Sequence, residues 1–208
     1  MTEWDRILPE KVYSPKEPDE PVASFISSLK KRRARVLDLA CGAGRHVIFV
    51  AEQGFEANGA DISGTGLKLT KGRLRKRRLH AALMKCDMRH LPYRNHCFDV
   101  VICTRAIYHQ RQEAVKATLS EIHRILTKGG FALVDFLSRR TYSYGKGVTV
   151  EKDTFLETEG HENGVLHYFV GKEELKLLLG RFKSVKITLE EHEVDGKLRS
   201  RWFVTATT

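Results

Sequence analysis

Apolar residues follow two periods along the chain, and segments of the two kinds alternate. Short apolar runs predict strands, and apolar positions three and four residues apart predict helices between them. The predicted strands are Val36 to Leu39, Glu56 to Asp61, Ala81 to Cys86, Phe98 to Cys103 and Phe131 to Leu137. The predicted helices are Asp19 to Lys31, Arg45 to Gln53, Gly66 to Arg78, and a segment through Val115, Leu119, Ile122 and Leu126 that Gly129 and Gly130 end. This alternation predicts a parallel sheet whose ligand site lies beyond the carboxyl ends of the strands.

The end of the chain departs from this alternation. A helix with Leu175, Leu178 and Leu179 precedes two strand-like segments, and Asp195-Gly196 between them predicts a tight hairpin turn. The fold class that we predict is α/β. It is a Rossmann-like, doubly wound sheet of seven strands, mostly parallel, with a C-terminal antiparallel hairpin and helices on both faces.

The 208 residues are enough for one domain with its own core and few for two. We divide residues 1–208 into an N-terminal arm and helix (1–34), a core around the glycine-containing loop (35–137), an insertion (138–170) and a C-terminal helix and hairpin (171–208). The prolines of residues 1–18 predict an irregular arm, and Asp19 is expected to cap the helix that follows. The insertion, rich in aromatic residues and histidine, is either a lid over a substrate or a plain surface hairpin.

Composition narrows the class of protein. Hydrophobic residues make up 41% and charged residues 30%, which is ordinary for a soluble globular protein. No apolar run reaches the ~20 residues of a membrane helix, and residues 1–21 lack the features of a secretion signal, so we expect a cytoplasmic location and no membrane span. The cysteines Cys41, Cys86, Cys97 and Cys103 do not have metal-ligand spacing, so we expect free thiols and no metal site.

The net charge of +10 is concentrated in two basic clusters, from Lys30 to Arg35 and from Lys68 to Arg78. Such a cluster either attracts nucleic acid or forms the solvated face of a helix. Aromatic residues that could stack on bases do not interleave with the second cluster. A nucleic-acid partner therefore stays open but is not favoured, and the sequence leaves the oligomeric state open.

The loop after the first strand, Asp38-Leu39-Ala40-Cys41-Gly42-Ala43-Gly44, carries the main functional signal. Its glycines let the backbone turn sharply beside a ligand, and the N-terminus of the next helix favours an anion. Val47 stands where a dinucleotide-binding loop needs its third glycine, and Asp38 would repel a pyrophosphate. The loop therefore argues against a dinucleotide.

At these residues the chain resembles the class I S-adenosylmethionine-dependent methyltransferases. The segments that carry the resemblance are Val36 to Arg45, Gly59-Ala60-Asp61-Ile62-Ser63, Cys86-Asp87-Met88, Phe98 to Cys103 and Glu121 to Gly130. Ala40 stands at the first glycine of the family's pattern. The compact chain is most similar to the small-molecule branch, of the ubiquinone/menaquinone-biosynthesis type.

The resemblance implies how the cofactor would bind. Asp61 would accept hydrogen bonds from both ribose hydroxyls, and Asp87 would accept one from the adenine amino group. Ile62 and Met88 would pack on the adenine ring.

For the methionine part, Asp38 would hold the ammonium group, and the helix end at Gly44 and Arg45 would favour the carboxylate. The other cofactor contacts that we expect are Ala40, Cys41, Gly42 and Thr104. The product would be S-adenosylhomocysteine.

The acceptor side is less defined. Tyr108 is a candidate wall of the acceptor site and His109 a candidate base, although a purely structural role for His109 is the alternative. We expect methyl transfer to an oxygen or nitrogen of a small molecule. The alternatives are an RNA methyltransferase and a non-catalytic protein that binds S-adenosylmethionine.

Overall fold

The computed structural model describes residues 2–10, 13–30 and 33–208. The strands are β1 Arg35–Leu39, β2 Glu56–Asp61, β3 Ala82–Lys85, β4 Phe98–Cys103, β5 Leu126–Ser138, β6 Val148–Glu151, β7 Thr154–Leu156, β8 Leu166–Val170, β9 Ser184–Val194 and β10 Lys197–Thr207. The helices are α1 Glu3–Ile7, α2 Glu20–Ser28, α3 Arg45–Glu52, α4 Gly64–Arg77, α5 Gln112–Ile125 and α6 Lys172–Leu178. Lys31 and Arg32 of the first basic cluster lie outside the described residues, and Lys31 is also the predicted end of the first helix.

The central sheet has the predicted α/β architecture. Strands β3, β2, β1, β4 and β5 lie side by side in that order and are parallel. Strand β10 then pairs with β5 in the antiparallel direction, and β9 pairs with β10. The turn between them has φ of 51° at Asp195 and 68° at Gly196, the left-handed values that a two-residue hairpin turn requires. The Rossmann-like fold and the C-terminal hairpin are thus confirmed.

The insertion widens the sheet beyond the predicted seven strands. Strand β8 pairs in parallel with the end of β5, where Leu137 faces Phe169 and Ser138 faces Val170. Strands β7 and β6 follow as antiparallel neighbours. The described residues therefore form a sheet of ten strands, three of which come from the insertion.

The boundary between α5 and β5 differs from the prediction. Leu126 was expected on the helix, but its backbone is extended, with φ −71° and ψ 137°, and it pairs with Phe98. Gly129 and Gly130 do not end the helix; they lie within β5, where its register against β4 shifts before Phe131. Leu126 is fully buried. A buried leucine satisfies the apolar pattern equally well in a last helical turn and in a first strand residue, so the pattern could not separate the two.

The N-terminal arm is also more ordered than predicted. Residues Glu3–Ile7 form α1, which begins with a capping box between Thr2 and Asp5. Asp19 occupies the N-cap position of α2, but its carboxylate makes no capping hydrogen bond. That carboxylate binds arginine side chains at the site described below.

Apolar side chains cover both faces of the sheet. Strand β4 is buried along its whole length, as expected for a central parallel strand. On one face α5 packs through Val115, Leu119 and Ile122, and on the other α3 packs through Val47. A Cβ at Gly59 of β2 would lie 2.9 Å from Val47 Cγ2, so the glycine that allows close helix–strand packing lies on the strand.

Two further sequence expectations concern the membrane and the thiols. Among the helices in the described ranges, none combines the length and the apolar character needed to span a bilayer. Cys41 and Cys103 are buried, Cys86 and Cys97 are partly buried, and all of them are free thiols.

Candidate functional site

The loop between β1 and α3 is held in a left-handed backbone conformation at three positions. The φ angles are 59° at Ala40, 51° at Gly42 and 81° at Gly44. A side chain at Gly44 would collide with Thr70, whose Cγ2 lies 2.5 Å from the Cβ position. Thr70 Oγ1 also donates to the Gly42 carbonyl at 2.8 Å. The loop is thus fixed against α4, and its turn depends on residues that tolerate positive φ.

Two adjoining cavities open beyond the carboxyl ends of β1, β2 and β4. The first cavity, of about 440 Å³, is lined by Asp61, Ile62, Asp87 and Met88. The second cavity, of about 570 Å³, is lined by Asp38, Cys41, Gly44, Arg45, Thr104 and Tyr108. Ala40, Gly42 and His109 contribute to both cavities. The fold therefore places every residue that the sequence suggested for the site on one of these walls.

Asp61, at the end of β2, has both carboxylate oxygens engaged by backbone amides. Oδ2 accepts from Gly42 N–H and Oδ1 from Ser63 N–H, each at 2.7 Å. Burial raises the pKa of this carboxyl to about 6. Each ionised oxygen can accept a further hydrogen bond, so the group remains available to a ligand with two hydroxyls.

Asp87 lies at the far wall of the first cavity and is paired with Arg89. The Arg89 Nε lies 3.0 Å from both carboxylate oxygens. Hydrogen bonding by Arg89 lowers the pKa of Asp87 below its ordinary value. Beside it, the Gln110 side-chain amide lies 3.3 Å from Met88 Sδ and positions that thioether.

Asp38, at the end of β1, differs from Asp61 in its hydrogen bonding. Its side chain is almost fully buried, and Oδ2 has no hydrogen-bond partner among the described residues. Oδ1 lies 3.6 Å from His46 Nδ1. His46 Nε2 accepts the Asp19 backbone N–H at 3.1 Å, which places the ring proton on Nδ1, toward Asp38. An unpartnered buried carboxylate oxygen is costly unless a ligand supplies a donor.

The Arg45 guanidinium is paired with the carboxylate of Asp19. Its Nη1 donates to Asp19 Oδ1 at 2.9 Å, and Arg105 Nη2 donates to the same oxygen at 2.7 Å. Thr104 Oγ1 donates to Asp19 Oδ2 at 3.2 Å. Burial raises the pKa of Asp19, but the guanidinium groups of Arg45 and Arg105 outweigh it, and the pKa lies below its ordinary value. From its sequence position Asp19 was expected only to cap a helix, so its binding of Arg45 and Arg105 was not predicted.

His109 and Tyr108 follow β4; His109 lines both cavities, and Tyr108 lines the second. Burial, together with the nearby His167, lowers the pKa of His109 to about 3. Its Nδ1 lies 3.0 Å from the Leu166 carbonyl oxygen and therefore donates to it. Burial raises the pKa of Tyr108. Both rings are uncharged at neutral pH, and the low pKa makes His109 a weak base.

Residues of the insertion line the second cavity, and the insertion also contains the hairpin of β6 and β7. His167 Nε2 lies 3.0 Å from Glu162 Oε2, and the rings of His167 and His109 are 4.9 Å apart. The sequence analysis did not group these three residues, because they are far apart in the chain and form no motif.

Helix α1 was also missed as part of the site. Trp4 and Leu8 line both cavities, and the Trp4 ring lies 4.8 Å from His109. Asp5 Oδ1 accepts from Ser63 Oγ at 2.6 Å. Arg6 donates to two carbonyl oxygens of the insertion, those of residues 161 and 163. The sequence feature that could have revealed helix α1 is Thr2-x-x-Asp5, which has the spacing of a capping box.

Comparison with known proteins agrees with this geometry. Residues 36–130 match the methyltransferase domain family. The matched range contains the glycine loop, the ends of β1, β2 and β4, and part of the cavity walls described above. Over this range, which is less than half of the chain, the protein is similar to that family.

Relatives and solved structures extend the similarity. An uncharacterized methyltransferase from Synechocystis is 32% identical over 49% of this chain and 46% of its own length. A glycine/sarcosine N-methyltransferase from Aphanothece halophytica is 30% identical over 74% of this chain and 62% of its own length. The chain thus spans less than two thirds of these relatives.

Two solved structures share the fold. A SAM-dependent methyltransferase from Methanosarcina mazei superposes with a TM-score of 0.74 at 16% identity, covering 92% of this chain and 98% of the other. The 1,6-didemethyltoxoflavin-N1-methyltransferase from Burkholderia thailandensis superposes with a TM-score of 0.68 at 16% identity, covering 95% and 81%. At this identity the structures support the fold.

Proposed function

We propose that this protein is an S-adenosylmethionine-dependent methyltransferase that methylates an oxygen or nitrogen atom of a small molecule. The observation that carries the proposal is Asp38, which lines the second cavity beside the glycine loop and whose buried Oδ2 has no partner among the described residues. The ammonium group of the methionine part would donate to it. A negatively charged neighbour also suits a cofactor that carries a sulfonium charge.

The first cavity fits the adenosine part. Asp61 offers two ionised oxygens to the ribose hydroxyls, and the half-exposed Ile62 and Met88 offer apolar surface to the adenine ring. Asp87 keeps its Arg89 partner and could still accept from the adenine amino group. Because Ala40 and Gly42 belong to both cavities, one extended ligand could occupy both.

When bound, the cofactor supplies an electrophilic methyl group. The chain's residues then have to hold the acceptor in line with that methyl group, and this alignment is the main contribution that a methyltransferase makes. Tyr108 and His109 would form the wall against which the acceptor rests. Trp4, whose ring lies beside His109, would exclude water from the acceptor. Because the pKa of His109 is lowered to about 3, we assign it to positioning rather than to removing a proton.

The size and walls of the second cavity support a small acceptor. Several relatives are glycine/sarcosine N-methyltransferases, which favours an amine, whereas the aromatic rings of Trp4, Tyr108 and Tyr142 suit a planar acceptor. A planar acceptor would agree with the resemblance to the ubiquinone/menaquinone branch, and that finer assignment is part of the proposal.

Calorimetry with S-adenosylmethionine and S-adenosylhomocysteine tests the proposal, and we expect one saturable site. Absence of binding would refute it. Labelled S-adenosylmethionine with a panel of small amines, quinols and phenols then tests transfer. Binding without transfer to any member of the panel would favour the non-catalytic alternative.

A further inference from the structure

Three side chains with metal-binding atoms meet at one wall of the second cavity. His109 follows β4, Glu162 precedes β8, and His167 lies in β8. One ligand atom of each residue lies within 4.8 Å of the others, and all three side chains are partly buried and line the second cavity. No other group of this kind occurs among the described residues.

The hydrogen bonding of His109 prepares it to act as a ligand. Because Nδ1 donates to the Leu166 carbonyl at 3.0 Å, the lone pair of the neutral ring is on Nε2. A backbone carbonyl that fixes the far ring nitrogen is the usual support of a metal-binding histidine. Leu166 directly precedes His167, so the same strand supplies the supporting carbonyl and another ligand.

We propose that His109, Glu162 and His167 bind a divalent transition-metal ion, with Zn²⁺ the ion that the donor set fits best. Two imidazoles and one carboxylate form the protein ligand set of many catalytic zinc sites, and Fe²⁺ is bound by similar sets. Mg²⁺ and Ca²⁺ prefer sites made of oxygen atoms, so imidazole ligands disfavour both ions.

The distances between the ligand atoms of the three residues allow them to bind one metal ion after a small movement of the side chains. Tetrahedral bonds of about 2.0–2.2 Å place ligand atoms about 3.3–3.6 Å apart. His167 Nε2 and Glu162 Oε2 are already 3.0 Å apart, and the largest separation within the group is at most 4.8 Å. Glu162 lies in a turn outside the regular strands, so its side chain can move without a change in the sheet.

Three protein ligands leave at least one coordination position for a small molecule in the second cavity. An acceptor with an anionic oxygen or an uncharged nitrogen could occupy that position, so the metal would hold the acceptor beside the cofactor. This role rests on the proposed methyltransferase function, whereas metal binding itself does not.

The test is calorimetry of the full chain, freed of metal by chelation, with Zn²⁺ and then with Mg²⁺. We expect one Zn²⁺ per chain and no measurable Mg²⁺ binding. Three variants, His109→Gln, Glu162→Gln and His167→Gln, should each weaken Zn²⁺ binding at least tenfold, while His80→Gln, a change at an exposed histidine, should not. Circular dichroism checks that each variant is folded.

Cobalt gives an independent readout. Co²⁺ bound to the wild-type chain should show the visible absorption of a four- or five-coordinate site, and His167→Gln should lose it. Equal Zn²⁺ affinity in the wild type and the folded His167→Gln variant would overturn the proposal, as would Zn²⁺ binding in no fixed ratio. S-adenosylhomocysteine titrated into metal-free protein separates the two proposals, because binding there supports the methyltransferase function even if the metal site fails.

Discussion

At the scale of single residues, Asp38 and Asp61 end neighbouring strands and are both buried, yet their environments differ. Asp61 accepts two backbone N–H groups, whereas Asp38 has an oxygen without a partner in the described part of the chain. Burial of an acceptor without a donor costs about 1–3 kcal/mol. A ligand that brings a donor to Asp38 therefore removes a cost that the unliganded protein carries.

We predict that Asp38→Asn weakens the binding of S-adenosylhomocysteine by roughly ten- to a hundredfold, because a hydrogen bond between charged groups contributes about 1.5–3 kcal/mol. Methylthioadenosine is the matched probe, since it lacks both the ammonium and the carboxylate group. Its affinity should change less than about twofold. An equal loss for both ligands in calorimetry would mean that Asp38 acts on the fold and not on the ammonium.

Asp61 leads to a prediction about pH. Its folded pKa, about 6, is raised above the unfolded value of 3.8, so the carboxyl takes up a proton as the pH falls through 6. Protonation removes a charged acceptor from the ribose hydroxyls. Affinity for S-adenosylhomocysteine should therefore be constant above pH 7 and fall by about tenfold per pH unit below 6.

The control for this pH dependence is Asp61→Asn, measured by calorimetry between pH 5 and 8. This variant should bind weakly with an affinity that does not vary with pH. The sign for folding is opposite to that for binding. A raised carboxyl pKa makes this group's contribution to the free energy of unfolding decrease as the pH rises from 3.8 to about 6. A flat binding profile for the wild type would contradict the role given to Asp61.

At the scale of elements, the short helix α1 connects the two sides of the site. Asp5 binds Ser63 at the start of α4, Arg6 binds the insertion, and Trp4 lies between the cavities. A helix of this length is not stable alone, so these contacts hold it in place. In the proposed function, helix α1 would therefore cover the bound cofactor.

We predict that Trp4→Ala weakens cofactor binding by roughly ten- to a hundredfold, because burial of a large apolar side chain against a ligand contributes about 1.5–3 kcal/mol. Lys16→Ala, an exposed change in the same N-terminal arm, is the control and should leave the affinity unchanged. Calorimetry measures both variants. Wild-type affinity in Trp4→Ala would show that α1 does not cover the cofactor.

Element by element, local sequence signals were reliable where the backbone itself dictates residue type. Asp195-Gly196 predicted the hairpin because both positions need positive φ, and the turn has it. The predicted end of α5 was wrong, because a buried leucine at position 126 fits either a helix or a strand. The interactions of Asp19 with Arg45 and Arg105 could not be predicted from the sequence, because residues so far apart in the chain meet only through the fold.

At the scale of the whole molecule, strand–helix alternation was sufficient to predict the sheet, and the candidate cavities lie at the edge where the alternation predicts a ligand site. The strand ends then brought the predicted cofactor residues to adjoining walls. The insertion was harder to predict, because its three short strands join the sheet only through pairing with β5 and with one another. The grouping of His109, Glu162 and His167 depends on that pairing, so no motif could reveal it.

The net charge of +10 is also a property of the whole molecule, and it raises the question of whether the protein binds RNA. Part of the second basic cluster is structural. Arg73 donates to the carbonyls of Pro15 and Ala43, and Arg77 pairs with Glu52. Lys68, Lys71, Arg75, Lys76 and Arg78 remain exposed. Helix α4 carries no aromatic residue, so it offers cations to phosphates but no ring to stack on a base.

We therefore predict weak, sequence-independent RNA binding without methyl transfer. Fluorescence anisotropy at about 25 mM salt should detect binding that disappears at about 150 mM, because each phosphate contact contributes about −0.7 to the slope of log K against log salt on single strands. The combined change Lys71→Ala, Arg75→Ala and Lys76→Ala should remove the binding and leave small-molecule methylation intact. Label transferred to RNA at 150 mM salt, and lost in that variant, would instead make RNA the substrate, since only a productive complex would depend on both α4 and the cofactor site.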